Sequence, residues 1–338
     1  MNRTLYLHIG AHRTATSAIQ RFLFVNCARL AELGYLQVNG APRQAVLMRA
    51  LAVGNRKARG VAEGIIRQCK ESAHPIHSAI LTDEDICCQR DLSYLVPFRD
   101  YFDVKVIFSL RRQDLWLESW YFQNIKWQWQ KHLSHLTFPE FMRLRSDFHW
   151  INYNRYVKHL EKLFGKENIL LTVHEKRHMK DGPIATFCRH MDLIDISDFE
   201  NPGQVNPSFS PAMSEFMRQL PLDQSPEPYR AELESILYEI DRRTRPRDSE
   251  INSLLLSRED RERLLAEFET GNKAVANRYF GRDKLFEDPL PETEAPLADM
   301  RLPATSQEMM DIFVRPLVSG IIDSHKQKLA SNANPQKR

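Results

Sequence analysis

Near the start of the chain, Gly10-Ala11-His12-Arg13-Thr14-Ala15-Thr16-Ser17 combines a glycine, a guanidinium and several hydroxyls. A short β-rich run, Thr4 to Ile9, precedes these residues, and a helical pattern with Ile19, Leu23, Cys27 and Leu30 follows them. In a strand, loop and helix of this kind, successive amide N–H groups point inward and the helix dipole adds positive charge, which makes an anion site. A second cationic position ends the strongest strand signal, Val104–Leu110, as Arg111-Arg112-Gln113-Asp114, with Ser119 in the helical pattern beyond. The fork of Arg111 can grip a phosphate through two donors while the Ser119 hydroxyl serves another oxygen. Arg112 takes that place if the register slips by one.

Acids complete the set. Thr82-Asp83-Glu84-Asp85 follows the predicted strand Ser78–Thr82. A hydroxyl nucleophile needs a base, and such assistance is worth typically about 10²–10⁴-fold. Glu84 is the first candidate and Asp83 the second, and crowding of four polar groups raises the pKa of one carboxylate, which suits a base. The same residues also read as a helix N-cap with first-turn acids. His12 competes as base beside the loop, and His174, next to Glu175 at another strand end, ranks below Glu84. His8 reads as a core histidine.

Aligned on Gly10, the nucleotide-binding pattern GxxxxGK[ST] puts Ala15 at its second glycine, Thr16 at its lysine and Ser17 at its hydroxyl. The displaced basic residue, Arg13, argues against ATP or GTP hydrolysis. Leu7 to Ser17 instead resembles the 5′-phosphosulfate loop of sulfotransferases that use 3′-phosphoadenosine-5′-phosphosulfate (PAPS), often H-I-G-x-H-K-T-G-T-T. Arg13 stands for the lysine, Ala15 for the glycine and Ser17 for the last threonine. Arginine serves there only as a fixed cation, and Ala15 resists positive φ. Arg111 with Ser119 resembles the 3′-phosphate site of the same family, and Arg-Arg-Gln-Asp…Glu-Ser-Trp-Tyr is close to its bacterial members. Tyr156 to Glu175, Asn206-Pro207-Ser208 and Leu264 to Tyr279, with Asn272 on the asparagine of Asn-x-x-Val-Ala, extend the likeness over about residues 4–285.

The resemblance implies PAPS held by His12, Arg13, Thr14, Ala15, Thr16, Ser17, Arg111 and Ser119. It assigns catalysis to Arg13, Glu84 and His12. The acceptor it implies is a hydroxyl compound, a carbohydrate or glycolipid, and no metal is required because the sulfuryl group carries less charge than a phosphoryl group. A nucleotide kinase or NTPase with Mg²⁺, or a non-catalytic nucleotide-binding module of the same fold, are the competing readings.

Strands must present these residues at one edge. Thr4–Ile9, Ser78–Thr82, Val104–Leu110 and Asn168–Val173 alternate with helical patterns at Ala45–Ser72, Asp114–Lys131 and Asn154–Phe164. That alternation predicts a P-loop-like three-layer α/β/α fold with a mainly parallel sheet and a helical C-terminal part. Gly10, Glu84, Arg111 and Glu175 all fall at carboxyl ends of predicted strands, where open α/β sheets bind ligands. Trp116, Trp120, Tyr121, Trp127 and Trp129 at helical spacing read as core. Arg258–Tyr279 reads as one helix. Domain boundaries are expected at 1–285 and 286–338, the latter a Pro-rich linker and an extension with a tail lacking regular structure.

The balance of 47 basic to 44 acidic residues, net +3, gives no signal for nucleic acid. Five cysteines without a CxxC pair read as reduced thiols with no metal site. Neither a signal peptide nor a membrane span is predicted, so the cytoplasm is the expected location. The oligomeric state is not legible.

Overall fold

The computed structural model describes residues 3–203, 208–245 and 252–333. Asn206 and Pro207 of the expected Asn-Pro-Ser segment lie outside them. The chain divides into two compact units. The first is Met1–Trp116, Ser146–Asn206 and Asp260–Pro291; the second is Leu117–Arg145, Pro207–Glu259 and Glu292–Arg338.

The first unit is built on a five-stranded sheet of β1 (Thr4–His8), β2 (Tyr35–Gln37), β3 (Ser78–Thr82), β4 (Asp103–Leu110) and β5 (Ile169–Val173). Their order is β2-β3-β1-β4-β5, and every pairing is parallel. The helices used below are α1 (Thr16–Val25), α2 (Ala45–Ala52), α3 (Ala58–Glu71), α4 (Gln113–Trp127), α5 (Tyr153–Phe164), α6 (Gly182–Arg189), α7 (Glu227–Thr244), α8 (Arg258–Ala266), α9 (Glu269–Phe280) and α10 (Arg315–Ala333).

A strand buried on both faces must be apolar on both, and β3 is buried at all five positions. Tyr6, Ile80 and Ile107 pack with Ile19, Phe22 and Leu23 of α1 and Phe187 of α6 on one face. On the other, Phe108 meets Tyr153 and Tyr156 of α5 at ring-centroid distances of 6.3 and 4.9 Å. Each such buried side chain contributes roughly 1.5–3 kcal/mol. The architecture is three-layered with an all-parallel sheet, as the alternation of elements predicts.

Three helical patterns are broken where the sequence reads on. After α1, Asn26 caps the turn with its side chain on the Phe22 and Glu200 carbonyls, both at 2.9 Å. Between α2 and α3, Gly54 takes φ +76°. The stretch read as one helix from Arg258 is α8 and α9, parted at Glu267-Phe268.

In the second unit, α10 runs to Ala333, into the tail expected to lack regular structure. It is held by tertiary contacts rather than propensity: Ser324 and Lys328 bond Glu232 of α7. The Pro-rich stretch 287–304 contains no helix or strand, yet within this unit Asn252 donates to the Pro296 carbonyl at 2.6 Å and the Ala298 amide to Leu254 at 2.7 Å. No helix among the described residues is long and apolar enough to cross a membrane.

Candidate active site

β1 lies between β3 and β4. The chain leaves it toward one edge of the sheet and returns on the other side at β4, so the carboxyl end of β1 is a topological switch point. The segments after β1, β3, β4 and β5 share that edge.

The loop from Gly10 to Ala15 has its own geometry. Gly10, Arg13 and Ala15 take φ of +106°, +65° and +64°. A Cβ on Gly10 would lie 3.3 Å from both the His12 amide nitrogen and the Glu84 Cβ, so glycine fits closely there. Ala15 is the N-cap of α1, left-handed and without a side-chain cap bond. The resistance of alanine to positive φ is overcome at a cost of about 1–2 kcal/mol. Three loop carbonyls are occupied by side-chain donors. Ala11 accepts from the Thr14 hydroxyl at 2.6 Å, His12 from the Trp116 indole at 2.8 Å, and Arg13 from Nη1 of Arg111 at 2.6 Å. The first amides of α1 have no intrahelical acceptor. Such a loop presents N–H groups and hydroxyls, the donor set an anion needs.

Arg13 and Arg111 are brought together. Burial and then the Arg111 cation bring the Arg13 guanidinium down to about 10. Burial, with Arg111 and Arg13 adding to it, holds His174 neutral at about 3. Two guanidiniums and an uncharged imidazole thus lie at the ends of β1, β4 and β5.

Arg112 is occupied elsewhere. It is buried, bonds Asp114 through two nitrogens at 2.8 and 3.1 Å and donates to the Asp288 carbonyl at 2.8 Å. Arg261 of α8 reaches the same Asp114 at 2.5 Å. Of the two arginines, Arg111 is the one whose side chain bonds the loop, at the Arg13 carbonyl. Tyr153 fixes the strand end, its hydroxyl donating to the Arg111 carbonyl and accepting from the Arg111 amide at 3.0 Å. Gln113 and Asn272 exchange amide bonds at 2.9 and 3.0 Å, so Asn272 is a tether for the first turn of α4.

The acids lie against the same loop. Glu84 is buried, accepts from Gln20 of α1 and pairs with Arg43 at 3.4 Å. Asp83 caps the following 3₁₀ turn from 3.3 Å and pairs with Arg43. Burial raises it to about 6 against the pull of that arginine, with Asp85 and Glu84 adding to the rise. His12 meets Asp85 at 3.0 Å. Burial alone would depress its pKa, but hydrogen bonds with Asp85 and Cys88 and the Glu84 charge carry it up to about 10. The Asp85 contact thus favours the charged form of His12.

No family model matches the chain. An uncharacterised protein of Archaeoglobus fulgidus is 24% identical over 202 residues, 58% of this chain and 52% of that protein. The chain spans about half the length of this relative. The crystal structure of a sulfotransferase from Alicyclobacillus acidocaldarius is similar with a TM-score of 0.40 and 13% identity, over 61% of this chain and 87% of that one. Neither likeness assigns a role to any residue here.

Most residues singled out in the sequence meet at this edge. His12, Arg13, Thr14, Ala15, Thr16 and Ser17 form the loop and the start of α1, with Glu84 and Arg111 beside it. Ser119 lies in the part of α4 that belongs to the second unit. His8 is a core residue, bonded to Thr82 at 2.9 Å and held near 3 by burial and then His190. Glu175 is a structural clamp that accepts from the Glu287 and Asp288 amides at 2.8 and 3.1 Å. Arg43 and Gln20 were not legible as site residues, since no motif or period marks a side chain that arrives from another element. Trp116 was read as core, which it is, but its indole also holds the loop.

The His12–Asp85 pair has a pH signature. A histidine raised on folding contributes stability that is fully present below its unfolded pKa of about 6.5 and lost as pH rises through the folded value. Urea unfolding should therefore show stability falling between pH 6.5 and about 10. Asp85→Asn should flatten that fall, and an unchanged slope in the variant would refute the assignment.

Proposed function

We propose that the chain is a sulfotransferase that moves a sulfuryl group from PAPS to a hydroxyl of a carbohydrate or glycolipid. The observation that carries this reading is the meeting of Arg13 and Arg111 beside the N-terminus of α1, with carboxylates against the same loop. A donor set of two guanidiniums, hydroxyls and helix-end amides suits a ligand with two anionic ends.

In this reading Arg13 and the backbone of Thr14, Ala15, Thr16 and Ser17 hold the 5′-phosphosulfate, and Arg111 holds the 3′-phosphate. Ser119 is assigned to the 3′-phosphate only by the resemblance of Arg111 and Ser119 to the 3′-phosphate site of PAPS-dependent sulfotransferases. PAPS, when bound, supplies an activated sulfuryl group and a stable phosphate leaving group. Glu84 takes the proton of the acceptor hydroxyl. Arg13, a cation at neutral pH, stabilises charge on the leaving oxygen, and His12 adds a second positive group beside the acids. A location in the cytoplasm and the boundary near residue 285 remain parts of this proposal.

The binding test compares 3′,5′-ADP with ATP and Mg²⁺ in thermal unfolding. A ligand at 100 times its Kd adds about 2.7 kcal/mol. Stabilisation by 3′,5′-ADP is expected, together with transfer of label from PAPS to a glycan or glycolipid. Preference for ATP–Mg²⁺ would favour a kinase or NTPase, and binding without turnover a non-catalytic module.

A further inference from the structure

Arg43 stands one residue before the N-cap of α2 and is seated on β3 by its neighbour. The Gln44 amide donates to the Thr82 carbonyl at 3.1 Å, and the Thr82 amide donates to the Gln44 side chain at 2.8 Å. From there the guanidinium reaches three consecutive carboxylates. Nε and Nη2 lie 2.7 and 2.6 Å from Asp83 Oδ1, Nη1 lies 3.4 Å from Glu84 Oε1, and Nη2 also pairs with Asp85. The Arg43 side chain is 19% exposed, and those of Asp83 and Glu84 3% and 4%.

Charge decides what this arrangement does. Three carboxylates face two cations, Arg43 and the His12 imidazolium, so the cluster carries one negative charge in excess. Among the described residues, the other titratable groups beside it include Cys87 and Cys88 of the same turn and Tyr94 of the next. None of them is a cation. Without Arg43, three carboxylates would share a single imidazolium in a buried place, and one would take up a proton.

We propose that Arg43 is a positioning residue: by pairing with Asp83, Glu84 and Asp85 together it keeps this carboxylate cluster charged and Glu84 in place to receive the acceptor proton. This rests on the transferase reading above. The guanidinium touches no reacting atom; it acts through the carboxylate beside it. Arginine suits the task because its flat fork holds a fixed geometry against the three carboxylates, where a lysine ammonium is a compact point charge on a flexible stem.

The test uses the full chain with Arg43→Met and Arg43→Lys. In Arg43→Met the acidic limb of the kcat/KM profile should move up by about one pH unit or more, with activity recovering at high pH and the Kd for 3′,5′-ADP unchanged. Arg43→Lys should fall between Arg43→Met and the parent. An acceptor-independent readout accompanies this. A carboxylate with a raised folded pKa binds more protons folded than unfolded, so stability falls as pH rises between the two values. Arg43→Met should thus lose stability relative to the parent from about pH 5 to pH 8. An equal loss of activity at every pH, or a stability offset that does not vary with pH, overturns the proposal. If the parent transfers no sulfuryl group but the variant shows the pH-dependent loss, the transferase reading fails and Arg43 is left as an electrostatic clamp only. If the parent is active and the limb does not move, the Arg43 proposal fails alone.

Discussion

Arg13→Ala is expected to lower kcat by roughly two to three orders of magnitude, the usual effect of deleting one preorganised donor from a site of charge development. The reason lies in the loop. Its carbonyls at 11, 12 and 13 are tied off by Thr14, Trp116 and Arg111, so they do not oppose an anion. The Arg13 guanidinium is already desolvated and beside a like charge, and an interaction with charge developing on the leaving oxygen is strengthened by that low-dielectric setting. Arg13→Lys should return part of the loss, since a point charge replaces the fork. Arg111→Ala should instead raise the Kd for 3′,5′-ADP more than it lowers kcat. Single-turnover kinetics and equilibrium binding separate the two. Equal effects of both substitutions on both parameters would show that the two arginines do not divide the ligand between them.

A second large effect concerns stability. Asp114→Ala should cost about 3–5 kcal/mol, the cost of breaking a buried ion pair by removing one partner. Asp114 is 0% exposed, Arg261 1% and Arg112 5%, so the substitution removes the acid that two buried guanidiniums share. The loss also loosens the hold of Arg112 on the Asp288 carbonyl. Urea denaturation measures it, and a change below about 1 kcal/mol would mean that water or another acid reaches the arginines. A methionine at both arginine positions together with Asp114→Leu should recover much of the stability, because apolar replacement of a whole buried ionic group is often neutral or better.

The sheet was largely legible because parallel strands announce themselves as buried apolar runs. Ser78–Thr82 coincides with the observed β3, and Val104–Leu110 falls one residue short of β4. β2 escaped because three residues carry no period. Helix breaks at Asn26, Gly54 and Glu267-Phe268 escaped because the apolar spacing continues across them. Arg13 and Arg111 could be named from loop chemistry and from position at strand ends. The choice between Arg111 and Arg112 could not, since it turns on Asp114 and Arg261, far apart in the chain. Nor could the protonation of the acids be read. Burial pushes Asp83 up against Arg43, while Asp85 is held down by His12 as well as Arg43; both partners reach the acids from other loops.

One bond described above bears on how residue 111 tolerates change. Its Nη1 is committed to the backbone of the loop after β1, so the side chain proposed to hold an anion also braces that loop. The two tasks need donors pointing in different directions from a flat, rigid head. A lysine there would keep the charge yet surrender the brace, and the first strand's loop would relax before any ligand arrived. Side-chain shape at this position, more than its sign, thus governs whether the turn stays ready.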